Sequence, residues 1–395
     1  MTTTPSASVS GVTVHGTATR GFERTRQAFA QGFDGAPDMG AAVSVYRDGE
    51  KVVDLWGGTR DARSALPWEE ETAAVMFSCT KGLASVLIAR LVEQGLVDYD
   101  APLASYWPEF AANGKGRLTV REALGHRAGL SAVRQELTRE QLLDWDFMTA
   151  LLAAQEPLWE PGTGFAYHSI THGWLSGELI RRVTGRTAGA LFQEVFSPVT
   201  AEAWLGLPAA EETRVAHIGL SEAYRQGVAA MQQLPNPFAA KGPQMGGALP
   251  PELVTETEGA NDRSFHAAEF PAAGGISTAR ALAALWSATV RDTGGTLLLG
   301  TGALENALRP VSEGRPELGF PEPWADRFAA GFQLPGLDQD LLSPAGFGHY
   351  GAGGQLGFAD PVHGIGFGYL TNWMVPDAGR ATAVVQALRE DLAAL

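Results

Sequence analysis

The sequence predicts an α+β fold in which an antiparallel sheet flanked by helices is built from both ends of the chain. A mainly helical lobe is predicted from the middle. Near the N-terminal end, two runs rich in β-forming residues, 40–46 and 51–56, surround an Asp48-Gly49 turn, which is typical of a hairpin. Near the C-terminal end, short apolar segments separated by tight turns indicate a strand meander. Pairing of these two ends would close the sheet.

The sheet lobe is predicted to comprise residues 15–75 and 273–395. Residues 1–14 are small and polar and are expected to form a disordered tail. Apolar side chains at helical spacing between Arg20 and Phe33 predict an amphipathic helix before the hairpin. Helices and strands of the C-terminal part are predicted, in chain order, at 277–291 (helix), 328–334, 346–350, 356–359 and 365–370 (strands), and 378–392 (helix).

Residues 76–272 are predicted to form the mainly helical lobe. A helix over 78–94 is expected to end at Gly95, a residue that suits a C-cap. Thr119 and Glu122 fit a capping box at the start of a short helix. Further helices are predicted at 144–155 and 169–184, the second with Ser169 as its N-cap.

Residues 205–272 contain many prolines and glycines and little periodicity. This pattern predicts a long irregular excursion, and such segments often cover a pocket. A ligand site is expected in the cleft between the two lobes.

Charge and composition exclude several classes of partner. The net charge of −15, without any local cluster of basic residues, opposes binding to nucleic acid or to an anionic membrane surface. No run of about 18 apolar residues could span a bilayer, and the N-terminus has no secretory signal pattern. Cys79 is the only cysteine, so an internal disulfide is impossible. We expect a cytoplasmic protein, whose oligomeric state the sequence leaves open.

Ser78 and Lys81 are the residues from which the functional prediction starts. They stand three residues apart at the start of an apolar helical segment, and this spacing puts both side chains on one helix face. If burial lowers the pKa of the lysine, its neutral amine can act as a base for the serine hydroxyl. The chain has four lysines, and Lys81 alone follows a serine at this spacing. A capping serine beside a solvated lysine is the structural alternative for this pair.

Three motifs in order extend the pattern: Ser78-x-x-Lys81, Tyr167-His168-Ser169, and the segment 349–354 with the sequence His-Tyr-Gly-Ala-Gly-Gly. They resemble the motifs of the serine β-lactamase and penicillin-binding-protein superfamily, which are Ser-x-x-Lys, Tyr-x-Asn or Ser-x-Asn, and Lys-Thr-Gly. The chain is most similar to class C β-lactamase-like hydrolases, and among them to family VIII carboxylesterases. The segments 118–130 and 347–354 support this resemblance, which extends over about residues 15–390.

The resemblance implies a β-lactamase-like fold and a role for each motif. Ser78 would be the acylated nucleophile, and Lys81 and Tyr167 would transfer protons. The backbone N–H groups of Ser78 and Ala352 would form the oxyanion hole. An ammonium at Lys81 would favour a phenolate at Tyr167, so we expect the two groups to share a proton.

Five residues are expected to contact the substrate, namely His168, Ser169, His349, Tyr350 and Gly351. Here the chain departs from the superfamily, because His349 replaces the lysine of Lys-Thr-Gly and Ser169 replaces the asparagine of Tyr-x-Asn. The missing cation and amide would weaken the grip on a β-lactam, although weak β-lactam hydrolysis stays compatible with the motifs. The resemblance thus predicts a serine carboxylesterase of small-molecule esters, without a cofactor or metal.

Several alternatives compete with this prediction. A Gly-x-Ser-x-Gly elbow of the α/β-hydrolase type is absent from the sequence. His168 and His172 have the spacing of a metal pair but lack an obvious third ligand. Cys79 lies off the face shared by Ser78 and Lys81 and is expected to be a small buried thiol. A β-lactamase, a D-amino-acid peptidase or amidase, an acyltransferase and a catalytically silent ligand-binding relative stay open.

Overall fold

The computed structural model describes residues 8–9, 11–319, 326–336 and 341–395. Its strands are β1 (Ser8–Val9), β2 (Val12–Ala18), β3 (Gly40–Arg47), β4 (Glu50–Asp61), β5 (Leu66–Pro67), β6 (Ala74–Val75), β7 (Ala203–Leu205), β8 (Gly219–Leu220), β9 (Gly275–Ser277), β10 (Arg327–Phe328), β11 (Gln333–Leu334), β12 (Phe347–Gly351), β13 (Gln355–Asp360), β14 (Ile365–Thr371) and β15 (Trp373–Met374).

The α-helices lie between and after these strands, several of them in succession. They are α1 (Glu23–Gln31), α2 (Cys79–Glu93), α3 (Val120–Leu124), α4 (Arg139–Leu143), α5 (Trp145–Ala154), α6 (His172–Thr184), α7 (Ala188–Phe196), α8 (Glu222–Met231), α9 (Pro237–Gln244), α10 (Arg263–Ala267), α11 (Ala279–Ser287), α12 (Thr301–Ala307) and α13 (Gly379–Ala394). Within the described parts of the chain, we find no helix with the length and apolarity needed to cross a membrane.

The main sheet is antiparallel and joins the two ends of the chain, as predicted. Its strand order is β1-β2-β4-β3-β14-β13-β12-β11-β10, and β5 pairs with β4. The junction between the ends is the pairing of β3 with β14, in which Val43 lies opposite Tyr369. The meander then places β12, which carries His349 and Tyr350, three strands from the N-terminal hairpin.

Helices cover both faces of this sheet. On one face, α1 and α13 pack against each other and bury an apolar layer that includes Phe29 and Val385. On the other face, α11 packs on β3, β13 and β14, and α2 packs on β12. Helix α2 lies deep in the molecule, since twelve of its fifteen residues are buried. The residue pair at its start is therefore enclosed between the sheet and the helices of the middle segment.

Two sequence-based expectations about the elements are wrong. The segment up to residue 14 was expected to be disordered, but residues 12–14 belong to strand β2, in which Val12 and Thr13 pair with β1 and the buried Val14 pairs with Gly57 of β4. Residues 1–7 and 10 lie outside the described residues. Ser169 does not cap a helix, because α6 begins at His172 after an N-cap at Thr171. The backbone carbonyl of Ser169 is instead a hydrogen-bond acceptor for Lys81.

The excursion 205–272 is more regular than the sequence indicates. It contains α8, α9 and α10, whose N-termini are capped by the side chains of Ser221, Asn236 and Asp262. Local capping explains why these short helices form although the segment has little helical periodicity. Helices α8 and α9 form part of the wall of a mainly apolar cavity that Ser78 also lines.

Candidate active site

Ser78 lies at the N-terminus of α2 but does not cap it. Its side chain makes no capping hydrogen bond, in contrast to the structural alternative considered above. The preceding residue, Phe77, has a φ of 43°, a left-handed conformation that is unusual for a bulky side chain. This sharp turn brings Ser78 to the edge of the cavity, where it is partly exposed.

The amine of Lys81 faces Ser78 inside the protein. Its Nζ lies 3.1 Å from Ser78 Oγ and donates hydrogen bonds to the carbonyl oxygens of Ser169 at 2.6 Å and Ala272 at 2.9 Å. The side chain is completely buried, and burial lowers the pKa of the amine well below its ordinary value of 10.5. A neutral amine fits these contacts, because its two N–H groups bond the carbonyls and its lone pair faces the Ser78 hydroxyl.

Tyr167 completes the group with Ser78 and Lys81. The Lys81 amine lies over its ring, 4.8 Å from the centroid. Burial raises the pKa of the phenol, and this effect exceeds the opposing one of a hydrogen bond with the Ser78 side chain. Desolvation penalises both charged forms, so burial favours the neutral amine and the neutral phenol over the expected ammonium and phenolate pair.

The ring of Tyr167 is held by aromatic side chains on two sides. It stacks on Phe328 with a centroid separation of 5.7 Å and an interplanar angle of 16°. His126 packs against it at 4.9 Å. His126 is itself fixed, because its Nδ1 accepts a hydrogen bond from the backbone N–H of His168 at 3.1 Å. Neither Phe328 nor His126 belongs to one of the three sequence motifs, and both join the site through tertiary contacts.

His168 was predicted to bind substrate, and the structure contradicts this. Its ring is buried and does not line the cavity. Nδ1–H donates to the carbonyl of Ala166 at 2.7 Å, and Nε2 accepts from the backbone N–H of Leu130 at 3.0 Å. Both nitrogens are thus used to join two loops, because loop backbone groups buried here need side-chain partners.

The other four residues predicted to bind substrate do line the cavity: Ser169, His349, Tyr350 and Gly351. His349 Nδ1–H donates to the carbonyl of Tyr350 at 2.6 Å, so its Nε2 carries the lone pair. Within the described residues Nε2 has no hydrogen-bond partner. Burial, assisted by Lys81, lowers the pKa of His349 to about 3. Because His349 is neutral, it does not supply the positive charge of the lysine that it replaces.

The backbone N–H groups of two residues are placed to stabilise an anion in the cavity. Ser78 and Ala352 both line the cavity, and neither backbone N–H donates to an acceptor among the described residues. Gly353 and Gly354 follow in a tight turn with φ values of 80° and 104°, conformations that suit glycine. The turn ends β12 beside the start of α2, and leaves the N–H of Ala352 available.

Neither alternative centre raised by the sequence is supported. Cys79 is buried, its thiol donates to the carbonyl of His349 at 3.1 Å, and burial raises its pKa, so the reactive thiolate is disfavoured. His172 Nε2–H donates to the carbonyl of Leu124 at 3.2 Å. Among residues that the structure describes, no group of three or more His, Cys, Asp or Glu side chains could hold a metal ion.

The cavity above Ser78 has a volume of about 600 Å³. Its wall is mainly apolar, and much of it comes from α8 and α9 through Tyr224, Val228, Met231 and Phe238. Asp326 also lines it, beside β10. No motif in the sequence singled out Asp326 or the apolar residues of α8 and α9, because each joins the site only through the tertiary fold.

Comparisons with known proteins agree with this fold and with the family that the motifs resemble. The Beta-lactamase family matches residues 27–390. The chain is 36% identical over 370 residues to the esterase/beta-lactamase LipL of Mycobacterium tuberculosis, an alignment that covers 92% of this chain and 83% of LipL.

Two solved structures are similar along nearly the whole chain. One is a family VIII carboxylesterase, with a TM-score of 0.82, 33% identity, and coverage of 96% of this chain and 99% of that one. The other is a penicillin-binding protein homologue from Caulobacter crescentus, with a TM-score of 0.84, 33% identity and the same coverage. The resemblance predicted from the three motifs is confirmed: the chain belongs to the beta-lactamase family of serine hydrolases.

Proposed function

We propose that the protein is a carboxylesterase that hydrolyses small-molecule esters through an acyl-enzyme on Ser78. The observation that carries this proposal is the buried amine of Lys81, 3.1 Å from Ser78 Oγ, with a lowered pKa. A base that is neutral near physiological pH can accept the serine proton as the hydroxyl attacks. No other serine of the chain has a lysine three residues after it.

In the acylation step, Ser78 Oγ attacks the ester carbonyl while its proton moves to Lys81 Nζ. The oxyanion is stabilised by the N–H groups of Ser78 and Ala352, a pair of donors that is worth about 3 kcal/mol per group in comparable sites. Tyr167 then gives its phenolic proton to the departing alkoxide and takes one from Lys81. The ester bond is broken, the alcohol leaves, and the acyl group stays on Ser78.

Deacylation repeats these transfers with water. Water loses a proton to the neutral base and adds to the acyl carbonyl, the bond to Ser78 Oγ breaks, and the serine regains a proton. The net reaction consumes one ester and one water and yields one acid and one alcohol. No cofactor is required for this balance.

Two observations favour an ester over a β-lactam as the main substrate. His349 is neutral, so no cation at this position would pair with the carboxylate of a β-lactam. The wall supplied by α8 and α9 is apolar and suits an uncharged acyl group. The name of LipL includes both activities, and we propose weak β-lactam hydrolysis as a side activity because the nucleophile and oxyanion donors would be shared.

The proposal is tested with p-nitrophenyl butyrate and a p-nitrophenyl phosphonate. We expect a burst of p-nitrophenol, and a stoichiometric adduct that peptide mass spectrometry places on Ser78. Ser78→Ala should abolish both, and Ser85→Ala, in the same helix, should abolish neither. Wild-type protein that shows no burst, no turnover and no adduct would support a ligand-binding relative without catalysis.

Product analysis separates the related activities. A chromogenic cephalosporin and a D-amino-acid p-nitroanilide, assayed beside the ester, measure β-lactamase and amidase activity. Added methanol reveals acyl transfer as a methyl ester product. We expect the ester to have the highest kcat/KM of the three substrates. A higher kcat/KM for the cephalosporin or for the p-nitroanilide would identify β-lactamase or amidase activity as the main one.

A further inference from the structure

We propose that Asp326 gives the cavity a charge preference, so that the enzyme favours esters with a cationic or neutral alcohol portion over esters with an anionic one. This inference rests on the proposed esterase function, and it specifies the charge of the alcohol portion that the ester substrate carries. Nothing in the three catalytic motifs indicates it, because Asp326 lies outside all of them.

The described charged side chains around the cavity are acidic rather than basic. Among the described lining residues, Asp326 is the only aspartate or glutamate, and there is no arginine or lysine. The segments 1–7, 10, 320–325 and 337–340 contain no lysine or arginine either. His349 is neutral. A charged group that enters the cavity therefore meets the carboxylate of Asp326 and no basic side chain among the described residues of the wall.

Asp326 lies on the same side of the cavity as Tyr167. Asp326 immediately precedes β10, and Phe328 of β10 stacks on the ring of Tyr167 at 5.7 Å. The negative charge of Asp326 also contributes to the raised pKa of the Tyr167 phenol. Tyr167 is the residue that would protonate the leaving group. The alcohol portion of the ester is thus the part expected to lie nearest to Asp326.

The carboxylate of Asp326 has a largely apolar environment. Asp326 is partly buried, and burial raises its pKa to about 6, so that it is ionised at pH 8. The neighbouring wall is mainly apolar, and a charge in such a setting is poorly screened by solvent. Its influence therefore reaches a group several ångströms away in the same cavity.

The experiment compares three butyrate esters at pH 8 in a pH-stat. Butyrylcholine has a cationic alcohol portion, 3,3-dimethylbutyl butyrate is its neutral isostere, and 3-butyryloxypropanoate is anionic. The readout is the ratio of kcat/KM for butyrylcholine to that for the anionic ester. We expect wild type to favour the cation, and Asp326→Asn to lower this ratio by about tenfold or more. Asp34→Asn, which removes an exposed carboxylate distant from the cavity wall, should leave the ratio unchanged.

A second variant keeps the test valid if Asp326→Asn does not fold. Asp326→Ser also removes the carboxylate and leaves a small polar side chain, and it should lower the ratio to a similar extent, with the rate for the neutral ester as the reference. An unchanged ratio in whichever of the two variants folds would overturn the charge preference. Failure of wild type to hydrolyse even the neutral ester, together with unlabelled Ser78, would instead reject the esterase function.

Discussion

The Nδ1 atom of His126 accepts a hydrogen bond of 3.1 Å from the backbone N–H of His168. This contact fixes the chain directly after Tyr167, and the His126 ring also packs on the Tyr167 ring at 4.9 Å. His126 itself has a φ of 67°, in the left-handed region. The position thus demands both a hydrogen-bond acceptor and a residue that tolerates this backbone conformation.

Two substitutions of His126 should show whether the hydrogen-bond acceptor and the left-handed backbone conformation matter beyond side-chain packing. Asparagine tolerates left-handed φ, and its Oδ1 can replace Nδ1 as acceptor. His126→Asn should therefore keep most of the stability and kcat. His126→Val leaves a buried N–H without an acceptor and strains the backbone, and we expect a loss of about 2 kcal/mol or more in the free energy of unfolding. Urea titration and ester turnover measure both effects; a valine variant as stable and active as the asparagine variant would contradict this role.

Gly351 should be required for the relative position of Ser78 and Ala352. A Cβ at residue 351 would stand 2.5 Å from the carbonyl oxygen of Met76, two residues before Ser78. Gly351→Ala must therefore push β12 away from the start of α2 and shift the Ala352 N–H. We expect kcat to fall at least tenfold, since misplaced oxyanion donors lose much of their effect.

Gly302→Ala is the matched control for this substitution. Gly302 lies in α12, and a Cβ added there meets nothing within 4 Å. This variant should gain about 0.5–1 kcal/mol of stability from its helix propensity and retain full activity. Equal effects of the two variants on kcat would show that close packing at residue 351 is unimportant for the site.

The pH dependence of ester hydrolysis should report the neutral state of Lys81 and Tyr167. Because the pKa of Lys81 is lowered, kcat/KM should rise with pH through that pKa and reach its plateau well below pH 10.5. Because the pKa of Tyr167 is raised above its ordinary value of 10.0, the plateau should continue where an exposed tyrosine would ionise. Stopped assays between pH 5 and pH 10.5 test this. Activity that rises until pH 10.5, or falls near pH 9, would contradict the neutral pair.

Removal of either proton-transfer group should affect turnover more than binding. Lys81→Ala and Tyr167→Phe remove groups that are needed in the transition state and should lower kcat far more than they raise KM. Lys51→Ala is the matched control, because Lys51 pairs with Asp54 of β4 and does not line the cavity. This variant should keep kcat within about threefold. An unchanged kcat in Lys81→Ala or in Tyr167→Phe would remove that residue from the mechanism.

The buried amine of Lys81 should also affect stability in a pH-dependent way. The folded-state pKa lies below the unfolded value of 10.5, so the unfolded chain binds more protons between these two pKa values, and stability rises with pH there. Lys81→Met lacks this term. The stability of wild type relative to Lys81→Met should therefore increase by about 1.4 kcal/mol per pH unit within that interval. Urea titrations at pH 7, 8 and 9 measure the difference, and a constant difference would show that Lys81 is charged when folded.

The sequence alone could predict features that depend on short spacing or on the order of elements. Three residues separate Ser78 and Lys81, and any helix brings two such side chains onto one face. The hairpin at residues 40–56 and the late strand meander predicted an antiparallel sheet closed by its two ends, which the pairing of β3 and β14 confirms. The order of the three motifs was sufficient for the family.

The tertiary structure decided the chemical state of these groups and what surrounds them. The pKa of Lys81 is lowered because distant parts of the chain bury its amine, including the segments of Ser169 and Ala272, whose carbonyls it bonds 88 and 191 residues along the chain. His168 was expected in the cleft, yet its ring bonds the backbone of two loops. Asp326, the residue before β10, lines the cavity although it belongs to no sequence motif. Burial and pKa depend on contacts between distant parts of the chain, and residue spacing contains no information on those contacts.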